Sequence, residues 1–187
     1  MIVDIGGGTT EVAVISLGGI VASNSIRVAG DEFDEAIISY LRRRRGILIG
    51  SSTAETLKMR IGSAYPSCDV GEMEVCGRSL DSGLGAVMKV SSSEVREAIG
   101  GMLEQIIYAI KKTLEQTPPE LSSDIYDFGI MLTGGGALLR GIDKLISERT
   151  GIQVKIAPRP LESVCTGILR VIESEGKLGN LLQYRGR

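Results

Sequence analysis

The chain has 187 residues, of which 43% are hydrophobic and 24% are charged, and this balance excludes an intrinsically disordered protein. Its formal net charge of −2 provides no general attraction to nucleic acid or to an anionic membrane. The absence of histidine excludes serine–histidine and cysteine–histidine catalysis, so any chemistry must come from carboxylates, hydroxyls, lysines, arginines or the backbone.

The beginning of the chain predicts two strands joined by a glycine turn. Residues 1–5 form a short apolar run that contains Asp4, and residues 12–17 form a second apolar run. Glycines between the runs would let backbone N–H groups approach a phosphate without a Cβ in the way, while Asp4 would hold a hydrated Mg²⁺ ion or orient a water. Taken alone, the stretch is also consistent with a hairpin that binds nothing. The candidate phosphate-binding residues are Gly6, Gly7, Gly8, Thr9 and Thr10.

A third strand and an amphipathic helix follow. Residues 20–28 alternate apolar and small polar side chains, which predicts a three-stranded antiparallel meander. Asp31 is predicted to cap the helix, whose acidic first turn suits the positive end of the helix dipole. The helix ends in four arginines, residues 42–45, before Gly46. Because cations and a terminating glycine stabilise a helix C-terminus, we interpret the arginines structurally and predict no nucleic-acid partner.

The next stretch predicts a helix followed by a β-hairpin. Residues 51–63 begin with a helix start signal, and Glu55 and Lys58 lie three residues apart on this helix, which predicts a surface ion pair. Residues 72–76 and 86–90 predict two strands joined by a loose, glycine-rich turn.

A second glycine-rich turn lies far along the chain. A long helix capped at Ser91 reaches about residue 116, where a proline pair ends it. An apolar strand over residues 128–133 then runs into three glycines and a predicted helix over residues 137–150. Strand, turn and helix N-terminus together predict a site for an anion or a nucleotide, with close helix–strand packing as the alternative. The glycines are Gly134, Gly135 and Gly136.

The remaining residues predict one more strand and one more helix. The strand covers residues 154–157, the helix covers residues 161–173, and residues 174–187 are expected to fray. The three cysteines are widely spaced and odd in number, so they predict no disulfide framework and favour a reducing cytoplasm.

Several separate motifs, in this order, resemble the superfamily of actin, heat-shock-chaperone ATPases and sugar kinases, and most closely the MreB family of bacterial actins. The resemblance implies an α/β fold: a ribonuclease-H-like, actin-type ATPase domain with a small inserted α+β subdomain. It assigns residues 1–45 and 91–173 to the domain core, residues 46–90 to the inserted subdomain and residues 174–187 to a flexible tail. The motifs that carry it are residues 4–19, 26–38, 61–63, 117–121 and 133–141.

The resemblance also implies a role for each motif, with ATP and Mg²⁺ as the cofactors. Asp4 would act near the magnesium ion and the attacking water, and the first glycine turn would hold the β- and γ-phosphates. Gly30 and Glu32 would approach the ribose. The residues that would flank or approach the adenosine are Glu55, Lys58 and Met59 on one helix, and Gly134, Gly135 and Gly136 in the second turn.

In function, the resemblance implies the nucleotide-binding half of a bacterial actin that forms ATP-dependent filaments. Such filaments determine cell shape and guide cell-wall synthesis. The implied partners are further copies of the protein and the membrane proteins of cell-wall elongation, with no nucleic acid. The implied location is the cytoplasm, with filaments that associate with the membrane through the family's first domain.

The family's first phosphate loop and its water-activating glutamate have no counterpart in this sequence. We therefore expect the chain alone to bind nucleotide weakly and not to hydrolyse it. Residues 164–168 resemble the helix that crosses back to the first domain. Two alternatives remain: a non-catalytic module that caps or co-assembles with actin-like filaments, and a fragment of another superfamily ATPase or sugar kinase.

Overall fold

A computed structural model describes residues 1–174 and shows an α/β fold with two sheets. All but the first residue of the tail predicted over 174–187 lies outside the described residues. Residues 1–174 contain eight strands: β1 (Ile2–Ile5), β2 (Thr10–Ser16), β3 (Gly19–Ile26), β4 (Ile47–Leu48), β5 (Glu72–Ser79), β6 (Gly85–Ser91), β7 (Ile130–Thr133) and β8 (Val154–Ile156). They contain six α-helices: α1 (Gly30–Arg45), α2 (Ser51–Ile61), α3 (Ser92–Glu115), α4 (Pro119–Phe128), α5 (Ile142–Thr150) and α6 (Ser163–Glu173).

The larger sheet has the strand order β3-β2-β1-β7-β8, with β1 at its centre. β1 pairs antiparallel with β2 and parallel with β7, so Asp4 lies opposite Glu11 on one side and Thr133 on the other. The predicted antiparallel meander is confirmed. Because β1 and β7 run in the same direction, the glycine turns that follow them meet at one edge of the sheet.

One face of this sheet forms the core, and the other is largely open. Val3 and Ile5 of β1 are fully buried, as expected for alternating side chains whose partners are helices on one face. α3 packs against β2 and β3, and α5 packs against β8. On the opposite face, the paired residues Ile2 and Met131 are exposed. The sheet therefore presents apolar side chains that the described residues do not cover.

The smaller sheet has the strand order β4-β5-β6 and carries α2 beside it. β5 and β6 form the predicted hairpin, whereas β4 is a two-residue strand that the sequence pattern did not indicate. Gly77 in β5 allows a close approach, since a Cβ there would lie 2.7 Å from the carbonyl oxygen of Leu48. The boundaries of the inserted subdomain remain a prediction.

Three predicted helix features differ from the structure. The helix predicted over residues 137–150 begins only at Ile142, because Gly141 has a φ of 75° and interrupts the backbone after a short 3₁₀ helix, Gly135–Leu138. Residues 119–128 form α4, with Pro119 at its first position, where the missing N–H costs nothing. Asp31 is not the cap of α1, since the N-cap residue is Ala29.

The arginines at the end of α1 have partners on a neighbouring helix. Arg45 contacts Glu94 with an N–O distance of 2.6 Å, and Arg44 contacts Glu97 at 3.5 Å. Both glutamates belong to α3, so two of the four arginines tie α1 to α3. This agrees with the structural interpretation of the arginine run.

Within residues 1–174, no helix combines the length and the apolar character needed to cross a bilayer. The longest helix, α3, buries an apolar stripe that includes Val95, Ile99, Ile106 and Ile110. That stripe faces the protein core, and most of the exposed residues of the helix are charged or polar.

Candidate functional site

A cleft of about 660 Å³ opens where the two glycine turns meet. It lies between the sheet edge, the start of α1, the helix α2 and the segment that leads into α6. A second, more open depression of about 410 Å³ lies beside α5 and contains none of the predicted site residues, so we place the site in the larger cleft. The predicted residues that line the cleft are Asp4, Gly6, Gly7, Gly30, Glu55, Lys58, Met59, Gly134, Gly135 and Gly136.

The first glycine turn is held by the amides at the start of α1. Gly30 N–H donates to the carbonyl of Gly6 at 3.2 Å, and Asp31 N–H donates to the carbonyl of Gly7 at 2.8 Å. Gly6 N–H donates to the carbonyl of Thr9 at 2.9 Å, which closes the turn. The N–H groups of Gly7 and Gly8 make no hydrogen bond to any residue in the described part of the chain. Two adjacent free amides beside a cleft are suited to an anion.

Four predicted residues are not part of the cleft wall. Gly8 and Thr9 are exposed on the turn beside it. The Thr10 hydroxyl is buried and donates to the carbonyl of Val28 at 2.6 Å, so its only proton is used within the fold. The Glu32 carboxylate accepts the N–H of Ala29 at 3.0 Å and thereby caps α1. Thr10 and Glu32 therefore have structural partners here, and their predicted nucleotide contacts remain predictions.

The second glycine turn touches the end of β1 through its backbone. Gly134 has a φ of 81°, in the left-handed region that favours glycine, and its N–H donates to the carbonyl of Pro160 at 3.1 Å. A Cβ at Gly134 would contact the Asp4 carboxylate and lie 2.6 Å from the carbonyl carbon of Ile5. A Cβ at Gly136 would lie 2.7 Å from the Cβ of Ile5. Only glycine lets the two turns come this close.

Asp4 is a partly buried carboxylate with a like charge beside it. It faces Glu11 across β1 and β2, and among residues 1–174 no group donates a hydrogen bond to its side chain. Burial, and secondarily the charge of Glu11, raise the pKa of the Asp4 carboxyl. A cation bound beside Asp4 would offset both the cost of burying its charge and the repulsion from Glu11.

A hydrated magnesium ion fits this donor set better than a fully protein-bound metal. No group of three or more acidic or cysteine side chains in the described residues is arranged to ligate a metal directly. Mg²⁺ commonly keeps several waters and binds through one or two carboxylates together with substrate phosphates. Asp4, next to the free amides of the first turn, could hold such an ion through water.

On the other side of the cleft, Lys58 has a different partner from the predicted one. Its Nζ donates to Asp34 Oδ2 and to the carbonyl oxygen of Gly30, both at 2.8 Å. The surface ion pair predicted between Glu55 and Lys58 is therefore wrong, because the Lys58 side chain extends from α2 to α1. Glu55 and Met59 line the cleft beside it.

Several lining residues were not predicted from the sequence. Asp31 lies against the first turn, with its carboxylate 3.7 to 3.9 Å from where a Cβ at Gly7 or Gly8 would stand. Leu161 and Val164 line the cleft from the segment that begins α6, and both are largely exposed. Asp31 carried a signal, since it belongs to the acidic first turn of α1. Leu161 and Val164 carried no such sequence signal, because the sequence pattern does not place α6 next to the glycine turns.

Comparison with known proteins gives this arrangement a family context. The family model described as MreB/Mbl protein matches residues 1–180. The cell shape-determining protein MreB of Escherichia coli strain K12 is 54% identical over 173 residues, which cover 92% of this chain and 50% of that protein. The chain thus spans about half the length of the curated relatives it matches.

Solved structures agree with this comparison. The crystal structure of MreB5 of Spiroplasma citri bound to ADP superposes with a TM-score of 0.91 at 40% identity, covering 98% of this chain and 55% of that one. A MamK double helical filament superposes with a TM-score of 0.78 at 23% identity, covering 92% of this chain and 53% of that one, and this likeness concerns the fold. The predicted actin-type α/β fold is confirmed.

Proposed function

The chain belongs to the MreB/Mbl protein family, and we propose that it forms one wall of an adenine-nucleotide site in a filament-forming, cell-shape-determining protein. One observation carries the proposal: two glycine turns from distant parts of the sequence converge on a single cleft beside a free carboxylate. The MreB5 structure bound to ADP supports an adenine nucleotide as the ligand.

Each part of the cleft suits one part of the nucleotide. The free amides of Gly7 and Gly8 would receive phosphate oxygens, because unpaired N–H groups in a glycine turn form a concave anion site. Asp4 would hold Mg²⁺ through water, and the ion would supply positive charge to the phosphates. The adenosine would lie between α2 and the second turn, beside Glu55 and Met59.

We propose that a further domain closes this cleft in the working protein. The uncovered sheet face and the helix α6 support this, since both expose apolar side chains. On α6, Ile168, Leu169 and Ile172 are all more than half exposed. A domain corresponding to the part of the relatives that this chain does not match would bury them.

An open half-site predicts weak binding and no turnover. Phosphoryl transfer depends on positioning and on charge stabilisation in a site that excludes water, and one wall provides neither completely. Hydrolysis would then belong to the two-domain arrangement. Steady ATP hydrolysis by this chain alone, abolished by Asp4→Asn, would contradict the proposal.

Self-association is the second part of the proposal. An actin-like subunit forms a filament through a heterologous contact that repeats without closing, and the relative solved as a double helical filament supports this for the fold. We further propose that the filaments act with membrane proteins of cell-wall elongation. The contact with the membrane would be made by the domain that completes the cleft.

Calorimetric titration with ADP and Mg²⁺ tests the nucleotide site. The chain is titrated alone and again after mixing with the domain of a relative that it does not match. We expect weak binding by the chain alone and an affinity at least about tenfold higher in the mixture, because the second wall adds contacts and excludes water. Absence of binding in both experiments would overturn the proposed function, and tight binding by the chain alone would overturn the half-site.

A further inference from the structure

The ion pair between Lys58 and Asp34 is the least exposed among the described residues. Its side chains are 17% and 13% exposed, whereas every other pair has at least one partner that is 29% exposed or more. Lys58 belongs to α2 and Asp34 to the first turns of α1. The pair therefore joins the inserted helix to the core at the cleft.

The same ammonium group reaches the backbone that supports the first glycine turn. Lys58 Nζ donates to the carbonyl oxygen of Gly30 at 2.8 Å, and Gly30 N–H donates to the carbonyl oxygen of Gly6 at 3.2 Å. Asp34 thus holds a lysine that is itself bonded to the first residue of α1. A displacement of Asp34 would free Lys58 and α2, whereas Asp31 N–H would still hold Gly7.

Asp34 is not placed for the greatest stability. Its Oδ1 is buried and has no hydrogen-bond partner within residues 1–174, which is an uncommon and costly state for a carboxylate oxygen. Burial raises the pKa of the Asp34 carboxyl, and the negative charges of Glu55 and Asp31 raise it further against the opposing effect of Lys58. Apolar residues in this place would often be as stable as the ion pair. A buried carboxylate with one unsatisfied oxygen points to a role beyond holding the fold.

We propose that Asp34 is a positioning residue for nucleotide binding: through Lys58 it fixes α2 against the start of α1 and sets the width of the nucleoside end of the cleft. The inference rests on the proposed function and adds to it a residue outside the cleft wall. It also predicts opposite effects on the contacts to the nucleoside and to the phosphates of the ligand. Loss of Asp34 should weaken contacts to the nucleoside, whereas the freed Lys58 ammonium should leave the attraction for phosphate intact or increase it.

The test compares ADP with inorganic pyrophosphate, which lacks the nucleoside. Both are titrated by NMR, at concentrations up to the millimolar range, into the wild-type chain and the Asp34→Asn variant. We expect the variant to bind ADP about tenfold more weakly and to bind pyrophosphate at least as well as the wild type. Equal weakening of both ligands would indicate general loosening and would overturn the proposal, as would unchanged ADP binding.

Asp69→Asn is the matched control. Asp69 forms an ion pair with Arg96 that also joins the predicted inserted subdomain to the core, with side chains 25% and 29% exposed, but neither residue lines the cleft. Asp69→Asn should leave the affinities for ADP and for pyrophosphate unchanged. An equal loss of ADP binding in both variants would mean that any loosening of the subdomain has the same effect, and the specific role of Asp34 would be wrong.

A readout without ligand separates this inference from the proposed function. In the wild type, two hydrogen bonds restrain the Lys58 ammonium, so we expect its acylation rate, measured by mass spectrometry, to rise several-fold in Asp34→Asn and not in Asp69→Asn. If Asp34→Asn does not fold, Asp34→Glu replaces it, and its longer side chain should produce smaller changes in the same directions. If the wild type binds neither ligand, the proposed function and the inference both fail, and the acylation rate then reports only the ion pair.

Discussion

The carboxylate of Asp4 lies directly against Gly134, although the two residues are far apart in the sequence. Their strands are adjacent and parallel, with Asp4 paired to Thr133, so the residue after Thr133 arrives beside Asp4. A Cβ at Gly134 would contact both this carboxylate and the backbone of Ile5. The contact fixes where the two turns meet and thereby defines the cleft.

Gly134→Ala should destabilise the protein. The residue has a φ of 81°, and the added methyl group would overlap with the end of β1, so we expect a loss of about 3 kcal/mol in the free energy of unfolding. Urea denaturation measures the loss. Gly135→Ala is the control: its φ is not positive, and the nearest atom to its Cβ is Leu161 Cδ2 at 3.4 Å. It should cost less than about 1 kcal/mol, and an equal loss in both variants would contradict the close approach.

Asp4→Asn should stabilise the chain slightly while removing the effect of Mg²⁺ on ADP binding. The folded pKa of Asp4 is raised by burial and by Glu11, so the folded state binds the proton more readily than the unfolded state. Stability is then lost as the pH rises from 3.8 through the folded pKa, and the ionised group is unfavourable at neutral pH. Because Asp4 is only partly buried, we expect a gain of about 0.5 kcal/mol or less after solvent screening.

Glu11→Gln serves as the control for Asp4→Asn. It removes the same repulsion but keeps the Asp4 carboxylate, and its amide oxygen can still accept the Ser25 hydroxyl. We expect a smaller gain in the free energy of unfolding, because burial of Asp4 is the larger of the two effects, with the Mg²⁺ dependence of ADP binding unchanged. Loss of that dependence in Glu11→Gln would assign the ion to both carboxylates.

Asp69→Asn should destabilise the chain in a pH-dependent way. The hydrogen bond from Arg96 lowers the pKa of the Asp69 carboxyl below 3.8. The corresponding stability is complete above 3.8 and is lost as the pH falls through the folded pKa. We expect a deficit of about 1 kcal/mol at pH 7 that disappears at low pH, measured by urea denaturation at several pH values. A deficit that persists in acid would assign the loss to packing.

The exposed helix α6 should tolerate truncation of its apolar side chains. Ile168 is 55% exposed, and the main neighbour of α6 is the short 3₁₀ helix Pro160–Glu162, so Ile168→Ala should cost less than about 0.5 kcal/mol. Ile146 in α5 is buried, and Ile146→Ala should cost about 2 to 4 kcal/mol. Thermal denaturation of the two variants measures both losses of stability. In the mixture used for calorimetry, Ile168→Ala should instead weaken association with the added domain.

The periodic parts of the fold follow from the sequence. The hairpin around the first glycine turn, the helix α1 and the hairpin β5–β6 have the predicted types and nearly the predicted ends, because their apolar periodicity agrees with their local turn residues. α4 was missed because the proline pair signals an end to α3 and, equally, a start to the next helix. The late start of α5 depends on the left-handed conformation of Gly141, which a sequence pattern cannot distinguish from an ordinary helical residue.

Much of the cleft wall could be predicted from the glycine turns, from Asp4 and from the family resemblance, but the contacts between its side chains could not. Gly6, Gly7 and Gly134 could be named because glycine turns after apolar strands have a known physical use. The partner of Lys58 could not be predicted, since the choice between Glu55 and Asp34 depends on how α2 packs against α1. Spacing along one helix predicted the local pair, and tertiary contact selected the distant one.

The pairing of β1 with β7 also has a consequence for biosynthesis. Asp4 is translated long before the strand and turn that complete its surroundings, because β7 follows β1 far along the sequence. A growing polypeptide on the ribosome can form the first hairpin early, because those contacts are local. It cannot form the cleft until β7 and Gly134 have emerged from the exit tunnel, so a nascent chain that stops before this point would lack the proposed nucleotide site.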